Sequence, residues 1–436
     1  MMKSKNTNIS PSPNERAHIL ASLKKLVVKH HFNVGGVSHA AWTALVEQQA
    51  AELLAVETAK FESGIGQLLS KLGSSHTAFY HELGKQVLPQ HSISATLRGF
   101  SVAESERWFF LDVFEHGPAH LAGIKPGDML LAVDGTEYRP PLMPPFDVGR
   151  AHRLRIADAG GGNSREVAVD VPKRKGSAAH PPIVEPMSLS HALVPPDIGL
   201  LRIAYFPGAI GLQFAKELDA SIRDLKQQGM SRLIVDLRGN IGGGLGLARL
   251  ASYMCPGQLP IGYSLTPHRL CTGYNREDLP LVPMPRTGVE LLWTLARFSY
   301  RDKSVFLLTQ GLGSQPFHDH IVLLVNEWTN SAAEMVAGFA AENRLATIVG
   351  KQTAGNVLGA ANFKVGSGYW VRLPIYGWYT SNDNCLEGKG VLPDVLVEVD
   401  PCQLNAGVDQ QMNKAIEILS GMGGSDRTAM PRASGD

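Results

Sequence analysis

A continuous apolar run followed at once by a helical pattern is the feature that most limits the fold of this chain. Residues 321–326 read Ile-Val-Leu-Leu-Val-Asn, which is typical of a strand buried on both faces. Apolar residues then recur at helical spacing from Met335 to Phe339. Because strands buried on both faces need helices to cover them, the pattern predicts an α/β core. The segment Asn330-Ser331-Ala332-Ala333-Glu334 lies at the predicted strand-to-helix junction.

Ser331 has two interpretations at this junction. A serine at a helix N-terminus lies beside unpaired backbone N–H groups, which stabilise an oxyanion, so Ser331 is a candidate nucleophile. Ser331 and Glu334 also match the S-x-x-E pattern of a capping box, which merely begins a helix. The local sequence leaves both interpretations open and, taken alone, favours the cap.

Composition excludes several classes of protein. At 436 residues the chain is long enough for several domains, and 41 Lys and Arg against 40 Asp and Glu leave a net charge of +1. That balance argues against partners such as nucleic acid or an anionic membrane surface. No apolar run is long enough to span a membrane, and Met1–Pro13 lacks the apolar core of a signal peptide. The expected location is the cytoplasm, with export of a processed form left open.

The cysteines give no sign of a metal site or of a disulfide framework. The four of them are scattered along the chain without C-x-x-C spacing. We therefore predict neither a metal nor another cofactor.

Changes of pattern divide the chain into segments. We predict a helical region at 14–84, a β-rich domain at 92–172, a linker at 173–196, an α/β core at 197–405 and a disordered tail at 421–436. Residues 40–72 lack proline and carry recurring apolar positions, which predicts one helix that ends before Gly73. Residues 265–320, with several prolines and no clear period, are predicted to be an insertion or cover.

The β-rich segment resembles a PDZ domain. Trp108–Val113 is strand-like, and Gly117–Asp128 contains a helical turn followed by a Gly-Asp turn. Met129–Val133 is a second strand pattern, and the turn Asp134-Gly135 follows it. The resemblance implies an exposed sheet edge that accepts a peptide as an added strand. The alternative is that this domain only spaces or shields the catalytic domain.

A glycine-rich segment leaves another predicted strand at residues 235–244, which read V-D-L-R-G-N-I-G-G-G. Glycines let the backbone approach a ligand closely and direct N–H groups at it. The segment lacks the Gly-Lys-Ser/Thr of a phosphate loop and the G-x-G-x-x-G of a dinucleotide site. An oxyanion-binding strand fits better, with Gly242 or Gly243 and Ala332 as backbone donors. A tight turn without a ligand is the alternative.

Four motifs occur in the order found in one family of serine peptidases. They are D-L-R-G-N-x-G-G, then N-S-A-A-E after a strand, then V-G-K-Q-T-A-G, then E-G-K-G-V-L-P-D. This arrangement resembles the C-terminal processing proteases and tricorn-type proteases, and with the PDZ-like and helical segments it covers about residues 15–400. The resemblance implies a multidomain α/β protein with a core of ClpP/crotonase type, a polypeptide substrate and Ser331 as the nucleophile. It also allows a homo-oligomer.

One departure from the family pattern bears on the mechanism. The C-terminal processing branch carries its lysine base in a T-x-G-K segment, but this chain reads Thr353-Ala354-Gly355-Asn356. Because an asparagine side chain cannot take the serine proton, a Ser–Lys dyad is excluded at position 356. Lys351, on the other side of the turn, aligns with a position that is not catalytic in the family.

The resemblance to the tricorn-like branch implies a histidine base instead. His76, in the motif Ser75-His76, matches the base, and Glu387 matches the glutamate that holds the imidazole, with Ser75 as a relay between them. An imidazole takes the serine proton, and a carboxylate fixes the tautomer of the ring. Taken singly, His76 is also typical of a helix end and Glu387 of a solvated loop. His81 is a second candidate base.

The sequence thus predicts a metal-free serine endopeptidase or carboxyl-terminal processing peptidase. A catalytically inactive ligand- or peptide-binding protein on the same scaffold is the alternative, because the family lysine is replaced by Asn356. A structural scaffold that only presents the PDZ-like groove is a third hypothesis.

Overall fold

The computed structural model describes residues 10–32, 37–102, 105–173, 183–285 and 304–421, and in addition the single positions 289, 290, 292 and 296. The predicted tail beyond Gly421 and the first half of the predicted linker lie outside these residues. Within the predicted insertion at 265–320, most residues between 286 and 303 also lie outside the described residues.

The described N-terminal part is helical: α1 is Pro13–His30, α2 is His39–Ala55 and α3 is Thr58–Ser70. The single helix expected over residues 40–72 is divided into α2 and α3. The chain is extended at Val56, whose carbonyl oxygen accepts a hydrogen bond from the guanidinium of Arg16 in α1. Because a tertiary contact takes up this carbonyl, the helix ends there although the local sequence favours its continuation.

The β-rich part is built around one antiparallel sheet. The elements between residues 78 and 170 are, in chain order, β1 (Ala78–His81), β2 (Gln86–Val87), α4 (Pro89–Ser92), β3 (Ala95–Val102), β4 (Ser105–Val113), α5 (Pro118–Leu121), β5 (Met129–Val133), β6 (Thr136–Glu137), β7 (Phe146–Asp147), β8 (Ala151–Ala157) and β9 (Ser164–Asp170). The sheet order is β3-β4-β5-β8-β9, with β6 paired to β5. Along β8 buried and exposed residues alternate, so one face of the sheet packs on an apolar core.

The remaining elements alternate between strands and helices. They are β10 (Leu189–Val194), β11 (Ile198–Ile203), α6 (Leu212–Gln227), β12 (Arg232–Asp236), α7 (Leu247–Met254), β13 (Pro260–Leu265), α8 (Pro267–Thr272), a 3-10 turn (Arg276–Asp278), β14 (Leu281–Pro283), β15 (Phe306–Leu308), β16 (Ile321–Val325), α9 (Ala332–Glu342), β17 (Thr347–Gly350), β18 (Gly359–Gly366), β19 (Tyr369–Thr380), β20 (Val395–Leu396), α10 (Pro401–Asn405) and α11 (Gln410–Gly421).

The central sheet has the order β10-β11-β12-β16-β17-β20 and is parallel except at the edge strand β10. Every residue of β16 is buried, as its apolar run predicts. Helices α6, α7 and α9 contribute to the core on one face, and α11 packs on the other. Because β12 and β16 are parallel neighbours, their carboxyl ends place the glycine-rich segment beside the Ser331 junction.

Strand β10 occupies the second half of the stretch predicted as a linker. It pairs antiparallel with β11 along its whole length, from Leu189 opposite Ile203 to Val194 opposite Ile198. None of its residues is fully buried. Leu189 and Leu193 pack on the core but stay partly exposed, so this edge strand leaves only a weak hydrophobic pattern in the sequence, which explains why it was not predicted.

A second sheet brings the N-terminal third of the chain to the core. Its order is β1-β19-β13-β15-β14, with β18 paired to β19. The antiparallel register places Ala78 of β1 opposite Arg372 of β19. Apolar residues of α1, α2 and α3 pack on β18 and β19 in one buried cluster. The turn that carries Ser75 and His76 is therefore fixed next to elements almost 300 residues later in the chain.

Candidate active site

Ser331 stands at the entrance to α9 in a strained backbone conformation. Its φ of 54° and ψ of −115° lie in a region that residues other than glycine rarely adopt. The backbone N–H of Ser331 donates to the Glu334 carboxylate at 3.0 Å, as the S-x-x-E pattern suggests. The capping contact and an unusual serine geometry therefore occur together, and the first does not exclude the second.

Glu334 binds a second segment to this junction. Its side chain is fully buried, and its carboxylate also accepts from Thr353 Oγ1 at 2.7 Å and from the N–H groups of Gly355 and Asn356 at 2.6 and 2.8 Å. Burial raises the pKa of Glu334, while these hydrogen bonds favour the ionised form and oppose the rise. The carboxylate thus holds residues 353–356 against the Ser331 turn.

The glycine-rich segment packs directly on Ser331. Gly242 has a φ of +84°, and a Cβ added to it would lie 2.6 Å from the Cβ of Ser331. Its N–H donates to Asn240 Oδ1 at 2.7 Å and is therefore engaged. The N–H groups of Gly243 and Ala332 have no acceptor within the described ranges. Of the two candidate glycines, Gly243 offers the unengaged donor.

Ser75, His76 and Glu387 form one hydrogen-bonded chain. The Ser75 hydroxyl donates to Glu387 Oε2 at 2.9 Å and lies 2.9 Å from His76 Nδ1. The backbone N–H of Ser75 donates to Glu387 Oε1 at 2.8 Å. A hydroxyl has one proton to donate. Because Ser75 donates it in the hydrogen bond to Glu387, the Ser75 oxygen accepts a hydrogen bond from Nδ1–H of the imidazole. His76 Nε2 is then the ring atom with the free lone pair.

The environment of His76 keeps its imidazole neutral. Burial first, and the charge of Arg372 second, lower the pKa of His76 to about 4. A neutral ring is the form that accepts a proton from a hydroxyl. The backbone φ of His76 is +58°, which makes it a second strained residue at this site.

The serine half and the histidine half meet at Asn356 and Val357. The N–H of Asn356 donates to Glu334, and the N–H of the next residue, Val357, donates to Glu387 at 2.9 Å. The Asn356 side chain donates to Asn330 Oδ1 at 2.8 Å. The position that carries the family lysine is therefore a structural link to the residue before Ser331.

A cleft of about 580 Å³ opens over the Ser75-His76 turn and over Asn330 and Asn356, while Ser331 itself is not among its lining residues. It is lined by Ser75, His76, Thr77, Ala78, Tyr80, Gln86, Val87, Leu88, Gln90, His91, Ile183, Ile241, Glu327, Trp328, Asn330, Ala354, Asn356 and Arg372. Asn330, directly before Ser331, and His76 both line it. The Ser331 hydroxyl is not hydrogen-bonded to the His76 ring in this structure, and catalytic contacts of this kind often close only when substrate binds.

The alternative bases lie elsewhere. The His81 ring bonds to the carbonyl of Ser367 at 3.2 Å and to the N–H of Leu83 at 3.1 Å, and it does not line the cleft. Lys351 is paired with Glu398 at 3.1 Å. Among the described residues, no three His, Cys, Asp or Glu side chains are grouped in a way that would hold a metal ion.

Residues of the β-rich part support the glycine-rich segment, and sequence reasoning missed them. Buried Asp112 accepts from Thr96 Oγ1 at 2.6 Å and from Asn326 Nδ2 at 2.9 Å. Asn326 in turn accepts from the N–H of Gly239 at 3.0 Å, and Gln90 donates to the Gly239 carbonyl at 3.1 Å. These contacts join distant parts of the chain, so no local pattern identifies them.

Comparison with known proteins identifies the core. Residues 197–397 match the sequence profile of peptidase family S41, so the α/β core is a peptidase family S41 domain. The carboxyl-terminal-processing protease of Synechocystis sp. is 24% identical over 320 residues, which are 70% of this chain and 63% of that protein. The processing protease CtpB of Bacillus subtilis is 21% identical over 367 residues, covering 81% of this chain and 67% of that protein. This chain thus spans less than two thirds of the Synechocystis relative.

Solved structures share the mixed α/β multidomain fold. The photosystem II D1 C-terminal processing protease superposes with a TM-score of 0.52 at 18% identity, covering 93% of this chain and 97% of that one. The structure of mature CPAF complexed with lactacystin has a TM-score of 0.55 at 16% identity and covers 94% and 98%. At these identities the likeness concerns the fold alone.

No helix in the described ranges has the length and hydropathy needed to cross a membrane. One matching relative is named a chloroplastic processing peptidase. The cytoplasmic location of this chain therefore stays a prediction.

Proposed function

We propose that this peptidase family S41 domain is an active serine peptidase that cleaves polypeptides through an acyl-enzyme. The observation that carries the proposal is the chain Glu387–Ser75–His76, which leaves Nε2 of a neutral imidazole as the ring atom with a free lone pair, on a residue that lines the same cleft as Asn330, directly before Ser331. The names of the relatives, carboxyl-terminal processing proteases, agree with this chemistry.

In the proposed mechanism Ser331 attacks the substrate carbonyl while His76 Nε2 takes the hydroxyl proton. The imidazolium that forms is stabilised through Ser75 by the carboxyl group of Glu387, which accepts a hydrogen bond from the Ser75 hydroxyl. His76 then gives the proton to the leaving amine, and water releases the acyl group with the same imidazole as base.

We further propose that the oxyanion is held by the N–H groups of Gly243 and Ala332. Neither donor has an acceptor among the described residues, whereas the N–H of Gly242 donates a hydrogen bond to Asn240. Gly242 then acts as a spacer, because it lets the glycine-rich strand lie against the Ser331 side chain. Removal of one oxyanion donor typically raises the barrier by about 3 kcal/mol.

The finer description of the fold belongs to the same proposal. We assign the β-rich part at 92–172 as a PDZ-like domain that binds or gates substrate, and the core at 197–405 as ClpP/crotonase type. The order β3-β4-β5-β8-β9 with the short α5 is compatible with the first assignment. A homo-oligomer stays a prediction.

Replacement of Ser331 tests the proposal. Ser331→Ala should abolish both labelling by a fluorophosphonate and hydrolysis of an unfolded protein, with a fall in kcat on the order of 10⁴-fold or more, because the attacking hydroxyl is removed and the nearby Thr329 hydroxyl is bound to the Leu237 carbonyl at 2.9 Å. The matched control is Ser70→Ala on the exposed end of α3, which should keep wild-type labelling and activity.

Two outcomes would go against this assignment. Residual cleavage by rigorously purified Ser331→Ala would exclude Ser331 as the nucleophile. A wild-type protein that binds peptides but neither labels nor cleaves would favour the inactive binding protein.

Gly242→Ala tests the packing of the glycine-rich strand on Ser331. The new Cβ would lie 2.6 Å from the Ser331 Cβ, so the two segments must move apart, and we expect kcat to fall on the order of 10²-fold. Gly208→Ala is the control, since Gly208 also has a positive φ of 69° but its Cβ would meet no atom within 4 Å. The control should retain activity within about twofold. Equal losses in both variants would refute the spacer role.

The pH profile of kcat/KM tests the state of His76. Because the pKa of His76 is lowered from 6.5 to about 4, the imidazole should remain neutral and active as the pH falls below 6.5. We expect a flat profile from pH 7 to about 5 and a decline only as the pH approaches 4. An acid limb near 6.5 would contradict this prediction.

Each pH also needs a thermal unfolding control. Between about pH 4 and 6.5 the unfolded chain binds a proton at this imidazole that the native protein does not. The free energy of unfolding therefore decreases as the pH falls through that window. Loss of folded protein must be separated from titration of the base.

A further inference from the structure

Arg372 places a positive charge on the wall of the cleft without a counterion among the described residues. It is half-buried on β19, opposite Ala78 of β1. The ionisable groups that act on its charge are Tyr80 and Tyr376, and neither is a carboxylate. The guanidinium is thus a cation that no described residue neutralises.

The other titratable neighbours of Arg372 are uncharged near neutral pH. Burial, with the charge of Arg372 as the second cause, lowers the pKa of both His76 and His91 to about 4. Burial raises the pKa of Tyr376. Burial lowers the pKa of Arg372 itself, but a guanidinium stays protonated in proteins. The charge on this wall is therefore a lasting one.

The carboxylate that also lines the cleft is already paired. Glu327 lies 3.3 Å from the guanidinium of Arg98, which is bound to Glu398 as well at 3.2 Å. His91 adds a buried Nδ1 without a hydrogen-bond partner in the described part of the chain. This wall consequently offers more polar groups than the described residues satisfy.

Removing a cation from water without a partner is costly, and such groups are usually paired or hydrogen-bonded. A guanidinium presents a planar fork of donors that matches the two oxygens of a carboxylate. The ligand that best fits this wall is therefore an anion of carboxylate geometry. In a cleft that takes polypeptides, only a chain terminus or an acidic side chain supplies that group.

We propose that Arg372 binds a carboxylate of the substrate and that the cleft thereby selects peptides with a negative charge at that position. The proposal rests on the peptidase function proposed above and names the class of substrate. The carboxylate has two sources, the C-terminus of the peptide or an Asp or Glu side chain. Arg372 touches substrate in this account but takes no part in proton transfer.

Four versions of one fluorogenic peptide separate the sources. They end in a carboxylate or an amide, and they carry Glu or Gln at an internal position. For the wild-type protein we expect kcat/KM to be about 10- to 100-fold higher with the decisive carboxylate than without it, because hydrogen bonds to charged groups are the strong ones. Loss on amidation identifies the terminus, and loss on Glu-to-Gln exchange identifies the side chain.

Replacement of the arginine should remove the preference. Arg372→Gln should lower the ratio of kcat/KM for the charged peptide to that for the neutral peptide to about one, mainly through a higher KM for the charged peptide. Arg372→Lys should restore part of the preference, since it keeps the charge but loses the fork. Arg139→Gln, which removes an exposed arginine paired with Glu137, is the control and should behave as wild type.

Two results would overturn the proposal: a wild-type protein indifferent to both carboxylates, or a preference that survives in Arg372→Gln. Binding of the same peptides to Ser331→Ala, followed by fluorescence anisotropy, makes this test independent of catalysis. If the wild type cleaves nothing, the peptidase proposal fails, while a carboxylate-dependent affinity that disappears with Arg372→Gln would still support the binding site. Equal affinities would refute it.

Discussion

The buried carboxylate of Glu334 is the interaction on which the arrangement of this site depends. It accepts hydrogen bonds from the strained Ser331 turn and from three donors in residues 353–356. The next residue, Val357, donates to Glu387. The segment 353–357 is therefore hydrogen-bonded to Glu334 on the serine side and to Glu387 on the histidine side. It fixes the serine turn relative to the histidine turn. Replacement of the family lysine by Asn356 leaves this framework intact, because Asn356 contributes a backbone N–H and an amide to it.

In the proposed mechanism, the direction of hydrogen bonding lets His76 act as the base in place of that lysine. The Ser75 hydroxyl donates a hydrogen bond to Glu387, so its oxygen accepts one from His76, and this fixes the imidazole with its proton on Nδ1. Burial and the nearby Arg372 keep the ring neutral. The same arginine contributes to the lowered pKa of His76 and, without a counterion among the described residues, is the group that we propose to bind an anionic ligand. Both follow from the pairing of β1 with β19.

The sequence predicts the features that depend on local pattern or on motif order. The buried strand β16, the helix start at Ser331 and the glycine-rich exit from β12 follow from residues close together in the chain. Contacts between distant segments left no such signal. The division between α2 and α3 depends on Arg16 reaching Val56, and the engagement of the Gly242 N–H depends on how Asn240 is turned. The position of Arg372 in the cleft required the register of two strands far apart in sequence.

The most direct test is a crystal structure of the protein with a peptidyl phosphonate bonded to Ser331. The account predicts that His76 Nε2 lies within about 3.2 Å of the serine oxygen. It also predicts that one phosphonyl oxygen lies about 2.7–3.1 Å from the backbone nitrogens of Gly243 and Ala332. An imidazole whose Nε2 lies beyond hydrogen-bond reach of the bonded serine oxygen, with the phosphonyl oxygen in solvent, would contradict the proposed mechanism.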